Sequence, residues 1–390
     1  MLNTQSPTRD LRLDAIRGMF LVIMAGVHVP SPLSHYLQEP FGFTSAAEGF
    51  IFLSGCLAGM VYGKTYFKNG WTEMSRRVWN RAKLVYIVHL AVLLPVALTA
   101  WLYARQVAPL AKHFHDFLQH PLGSLLLTPL LLHQPPLFDI LPLYVVLLLA
   151  TPFAFATARR HGWGIVLSLS FLGWFLAQFP VAHLPAHGLL PIRGGAFNLL
   201  AWQFLWFAGV ALGETSRRRE IISQKFRTFF VTLASALVLT GLCARHNLLP
   251  GAGINPGLFL WMDKWTLGPL RLLNFAAWVV LLREWNPRPP AWLMEQTALW
   301  GRHSLAVFAL HLPLVICATA VIQMFPLSGL EKTFLGLSVI AGISLWVAWL
   351  EHNSRQRKQI TVLASEPQLW FQRLKDREII RTTPIKPTAG

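Results

Sequence analysis

Charge is scarce in this chain. Only 13% of its 390 residues are Asp, Glu, Lys or Arg, against 54% hydrophobic residues, and the mean hydropathy is +0.46. A soluble domain carries about twice that share of charge, so a water-facing globule is excluded and a polytopic membrane protein is indicated. Negative charge is scarcer still: 17 Asp and Glu face 34 Lys and Arg, a net +17. That excess lies in short stretches between apolar runs, where it sets topology, so no nucleic-acid partner is expected. Cysteine is nearly absent, and Cys56, Cys243 and Cys317 all fall in apolar segments. An odd, scattered set is neither a disulfide framework nor a zinc site. There is no nucleotide-binding glycine motif, no Gly-x-Ser-x-Gly elbow and no internal repeat of quality. His113-x-His115 lacks the cysteines or paired carboxylates that would complete a metal site. Neither a metal nor a permanently bound cofactor is expected.

What the chain has is apolar runs of spanning length, about 17–25 residues each. They fall near 15–31, 45–63, 84–103, 137–158, 163–180, 197–213, 228–244, 266–283, 303–324 and 333–350. The fold expected is an all-α polytopic membrane helix bundle of about ten transmembrane helices, with both termini cytoplasmic. A shorter apolar piece, 122–132, reads as re-entrant or interfacial. With the N-terminus inside, 27 of the 34 Lys and Arg fall on the cytoplasmic side and 7 outside, as the positive-inside rule requires. Sixteen Trp suit two membrane interfaces. The first apolar run carries charge and no small-residue cleavage site follows it, so it reads as a retained helix and not a signal peptide. Residues 1–350 form the membrane domain. Residues 351–390 form a basic cytoplasmic tail set against anionic lipid headgroups, with 366–381 as an interfacial amphipathic helix.

The first run, LRLDAIRGMFLVIMAGVHVP, carries a stripe of ionisable groups. Arg17 and His28 are eleven residues apart, which puts them on one helix face within about 20° and about 16 Å apart along the axis. Asp14 lies one turn before Arg17. Charge on such a helix belongs in a bundle interior or a wet cavity. The plainer reading makes Arg17 a topological anchor, Asp14 its local partner and His28 an interfacial residue. His28 suits a general base acting on a hydroxyl. Glu48, opening the second run on the same side, suits the carboxylate that orients it, or else is a first-turn carboxylate favoured by the helix dipole. Arg77 and Arg81 in a basic loop, together with Arg17, suit the phosphates of a donor such as a coenzyme A thioester, although topology alone accounts for the loop. Arg302 opens the ninth run and joins that donor-side set with Asp14. His311 lies eight residues past His303, deep enough to need an internal partner: a backbone carbonyl or the His28 cavity. His133 and Asp139 stand where the long 104–136 segment meets the fourth run. They suit a hydroxylated acceptor or the capping of a rigid turn. Ser54 completes the candidate cavity lining.

These blocks resemble a known family. RDLRLDAIRG with His28, then GFTSAAEGFIFLSG, FDILPLYVVLLL, NLLAWQFLWFAGVALG and GRHSLAVFALHLPLV, resemble the OpgC family, part of the wider acyltransferase-3-like group, over about residues 9–350. The Arg-x10-His spacing of the wider group matches Arg17 and His28. Its cytoplasmic Arg-x-x-Arg is replaced by Arg77 and Arg81, one residue further apart. The resemblance implies a bacterial inner-membrane enzyme that moves a succinyl or acetyl group from cytoplasmic acyl-coenzyme A to hydroxyls of a periplasmic glucan or exported polysaccharide. Two rivals come from other classes: a secondary transporter, and a non-catalytic membrane partner of a polysaccharide synthase.

Overall fold

A computed structural model describes residues 10–103, 114–179, 195–216, 224–248, 260–285, 287 and 289–365, with side chains to 356. Among these residues there is no β-strand. The helices are α1 (Leu11–His28), α2 (Pro32–Leu37), α3 (Ala46–Tyr103), α4 (His115–Gln119), α5 (Pro121–Leu127), α6 (Ile140–Leu176), α7 (Leu199–Thr215), α8 (Gln224–Arg245), α9 (Pro269–Trp285), α10 (Ala291–Arg302), α11 (Ser304–Met324) and α12 (Gly329–Ser365). A 3-10 turn, Leu260–Met262, precedes α9. The chain falls into two compact units, Met1–Ile343 and Ser344–Gly390, divided within α12.

Among the described residues five helices are long and apolar enough to cross a membrane: α3, α6, α8, α11 and the Gly329–Gln356 stretch of α12. This marks a membrane protein. Helices α7 and α9, 17 residues each, coincide with expected spans but are too short for that measure. Helix α1 also coincides with one, but carries Arg12, Asp14 and Arg17. The basic loop expected at 76–83 is not a loop. Helix α3 runs through it for 58 residues and breaks only at Gly70, φ 78°; α6 breaks likewise at Gly162, φ 82°. Positive φ is open to glycine at no steric cost, so one residue turns each expected inter-span loop into a sharp bend. The 291–302 segment, not expected as an element, is α10.

Small residues bring the helices of the first unit together. Gly55 and Gly59 of α3 face Gly209 and Gly213 of α7. A Cβ on Gly59 would fall on the carbonyl of Val210, and one on Gly209 on that of Phe52. Two four-residue glycine spacings thus interlock, which lets backbones touch where lipid gives no hydrophobic drive. Helices α1 and α10 cross as closely, with Gly18 against the carbonyl of Thr297 and Gly301 against that of Asp14. Indole donors then tie the layers. The Trp206 Nε1–H donates to Thr151 Oγ1 of α6 at 3.0 Å. The 260–267 segment is fixed from three sides: its carbonyls accept from Trp202 Nε1 (3.0 Å), Trp174 Nε1 (2.9 Å) and Gln178 Nε2 (2.8 Å).

The 122–132 piece is α5 followed by a turn. Tyr86 of α3 donates to the Pro129 carbonyl at 2.9 Å. Leu131 (φ 60°) and Leu137 (φ 76°) hold left-handed backbone on either side of His133. A branched side chain tolerates that only where its surroundings fix it, so this approach to α6 is a built turn.

Candidate functional site: a histidine pair beside a basic constriction

Two helix segments meet at the chemistry. Asp10 caps α1 by accepting from the Arg12 N–H at 3.0 Å, and α1 ends at His28, with extended backbone at Val29 and Pro30 beyond. Helix α11 brings His311, 2% exposed. The rings stack, centroids 5.4 Å apart. His28 Nδ1 lies 3.2 Å from His311 Nε2, and His311 Nδ1 lies 3.3 Å from the Phe308 carbonyl. A carbonyl only accepts, so His311 Nδ1 carries the proton. In a neutral ring its Nε2 then accepts, and His28 donates from Nδ1. That chain leaves His28 Nε2 as a lone pair, and no described residue bonds it.

The pair opens on a cavity of about 290 Å³, whose lining includes His28, His311, Ser45, Asp139, Lys264 and Trp265. Asp139 is held there by the Ala196 N–H at 2.8 Å. Next to it lies a constriction of about 20 Å³, mostly apolar in its walls, whose lining includes Arg17, Arg81, Tyr144 and Ser304. Ile140 and Phe308 belong to both linings. The face shared by Arg17 and His28 therefore serves two adjoining spaces, one basic and one carrying imidazole. The Arg17 guanidinium also sits over the Phe50 ring, 5.4 Å from its centroid. A larger cavity of about 390 Å³ lies between α1, α9 and α10, but among its described lining residues Arg12 alone is charged. Ligand sites need convergent polar groups, so the histidine cavity is the better candidate.

Other expected residues are placed apart. Glu48 does not hold His28. It is fully buried, and its Oε2 accepts from the Ser45 N–H (3.0 Å) and hydroxyl (2.5 Å) while Oε1 accepts from Arg271 Nη1 at 2.6 Å. The reach back to Ser45 is half of a capping box. The imidazole partner is His311 instead. Arg77 is exposed and donates to Glu73 Oε1 at 2.7 Å, outside the constriction that Arg81 lines. These bonds, Arg77 first and Arg76 next, hold the Glu73 carboxyl below its ordinary range. Asp14 is buried on α1 under Gly301. Arg302 ends α10, two residues before Ser304 of the constriction. His133 is buried edge-on to Phe117, 4.9 Å between centroids, and lines neither space. Ser54 is buried in α3 and lines neither space. His113 lies outside the described residues, and among those described no cluster of His, Cys, Asp or Glu could hold a metal.

A family model described as OpgC protein matches residues 9–356. The chain belongs to the OpgC family. No curated protein and no solved structure matches it. In this OpgC chain, the first, second, fourth, sixth and ninth apolar runs, which carry the resemblance, supply the walls of the histidine cavity and the constriction through α1, α3, α6 and α11, while α7 supplies the glycine face behind α3.

Sequence reasoning missed Arg271, which it counts as an outer positive charge. The OpgC chain buries it, 3% exposed, between Glu48 and Glu39. Its Nε donates to the Met262 carbonyl at 3.1 Å, anchoring the segment that carries Lys264 and Trp265. A cation inside the 266–283 apolar run was the available signal, by the same rule that marks Arg17. Lys264 and Phe308 gave no such signal.

Proposed function

We propose that this OpgC-family membrane protein is an O-acyltransferase. It moves a succinyl or acetyl group from coenzyme A to hydroxyls of a periplasmic glucan or exported polysaccharide. One observation carries the reading: a histidine cavity and a basic constriction share Ile140 and Phe308 as common wall. The donor's phosphates bind at Arg17 and Arg81, with Arg302 and Asp14 beside them. Its pantetheine arm spans the roughly 16 Å of helix rise to His28. The acceptor enters the cavity of Asp139 and Lys264. His28 Nε2 takes the hydroxyl proton as the oxygen bonds to the acyl carbon. The carbon–sulfur bond breaks, and the proton passes to the leaving thiolate. His311 keeps His28 in the required tautomer, the task a carboxylate performs in hydrolase triads. Glu48 and Arg271 position the Ser45 and 260–267 walls. The enzyme needs no resident cofactor. It lies in the bacterial inner membrane with about ten spans and both ends inside.

Mass spectrometry of periplasmic glucan and exopolysaccharide tests this in cells with the intact gene, a deletion and His28→Ala. A succinyl or acetyl mass increment lost from both altered strains is the expected result. An unchanged glycan profile in the deletion would refute glycan acylation and leave the transporter.

A further inference from the structure

Among the described residues Phe308 and Ile140 are the two common to both spaces, and both are buried, 3% and 7% exposed. The Phe308 ring is gripped edge-on by Phe50 (5.2 Å, 71°) and by His311 (5.5 Å, 70°). Phe50 in turn carries the Arg17 guanidinium on its face. On the basic side the free space is about 20 Å³, about enough for one water molecule. No thioester arm passes such a gap while the ring stays where it is. A side chain can leave such a position by a rotamer change, a motion local to the site.

We propose that Phe308, backed by Ile140, is the septum that holds a donor thioester away from His28 until the acceptor is seated, and so selects the acceptor hydroxyl over water. The inference rests on the acyl-transfer reading. With the ring in place, thioester and imidazole stand on opposite sides. With the ring displaced and the acceptor present, the hydroxyl oxygen bonds to the acyl carbon, its proton goes to His28 Nε2, and the carbon–sulfur bond breaks to give ester and thiol. If the ring is missing, water takes the place of the hydroxyl and the products are a free acid and the same thiol. Excluding water from a reactive intermediate is a common use of a closed site. Removing a Phe side chain here takes away one of the two described residues that stand between the Arg17 space and the His28 cavity, and it alters neither Arg17 nor His28.

The test uses the purified full chain in detergent, with succinyl- and acetyl-coenzyme A as donors and glucan from the deletion strain as acceptor. Released thiol and ester formed are measured separately for wild type, Phe308→Ala, Phe308→Leu and Ile140→Ala. In wild type, thiol release should depend on acceptor and match ester formation. In Phe308→Ala, acceptor-independent thiol release should rise at least tenfold and the ester yield per thiol should fall. Phe308→Leu should restore most of the coupling, and Ile140→Ala should show the same leak in smaller measure. The Ile140 variant keeps the test decisive if Phe308→Ala does not fold. Coupled variants beside a coupled wild type overturn the septum alone. A wild type that consumes no thioester overturns the transferase reading, and the septum with it.

Discussion

The histidine pair makes a sharp kinetic prediction. Replacing His311 with Leu removes the acceptor 3.2 Å from His28 Nδ1 and nothing else within bonding distance of His28. A neutral hydrogen bond of this kind is worth about 1 kcal/mol net, or about a fivefold effect. Losing it also frees the tautomer, so part of the population would present Nε2–H instead of a lone pair. Together these should lower kcat about ten- to fiftyfold. His28→Ala removes the base itself and should cost about 10²–10⁴-fold. The double variant decides the matter. If His311 acts only through His28, His28→Ala with His311→Leu should be no slower than His28→Ala alone, since residues acting as a unit are not additive. His311→Gln, whose amide oxygen can accept, should recover to within about fivefold of wild type. The assay is thiol release coupled to ester formation in detergent. Full additivity in the double variant would mean that His311 meets substrate directly, and the relay would be wrong.

Other perturbations separate the remaining parts. Arg271→Met leaves Glu48 buried without its cation, a loss of about 3–5 kcal/mol readable as earlier unfolding in an SDS titration; adding Glu48→Gln should restore much of it. Arg81→Ala should raise the donor KM about tenfold, the value of one charge-assisted bond of about 1.5 kcal/mol. Arg77→Ala, whose guanidinium is engaged by Glu73, should change it less than about twofold. Gly59→Val or Gly209→Val drives a side chain into a facing carbonyl. Either should cost at least the upper end of overpacking, about 3 kcal/mol, and leave little monodisperse protein on size exclusion.

What was legible in the sequence is what local periodicity carries. Arg17 and His28 sit on one helix, so a turn count places them on one face, Arg17 lining the constriction and His28 the adjoining cavity. The apolar runs coincide with helices for the same reason. Partners distant in the chain were not legible. His28 meets His311 across 283 positions and Glu48 meets Arg271 across 223. Composition offers no means of choosing between Glu48 and His311 as the group that holds an imidazole. Helix α10 was hidden because Pro287, Pro289 and Pro290 precede it and it is short and closes on a glycine. That glycine, Gly301, is where it touches α1. The inter-span stretches looked like loops because they are basic and polar. A helix that leaves the membrane keeps its own hydrogen bonds and needs no apolar residues to persist, so polarity alone could not say where α3 would bend.

That bend has a practical use. Around Gly70 and Gly162 no atom lies within 4 Å of where a side chain would begin. Both positions are closed to other residues by backbone angle and not by crowding. A short flexible insert flanked by fresh glycines should be accommodated there, because it can supply the same angle. A protease site or a labelling tag placed at each would then report, from intact cells and from inverted vesicles, on which face of the membrane each bend lies.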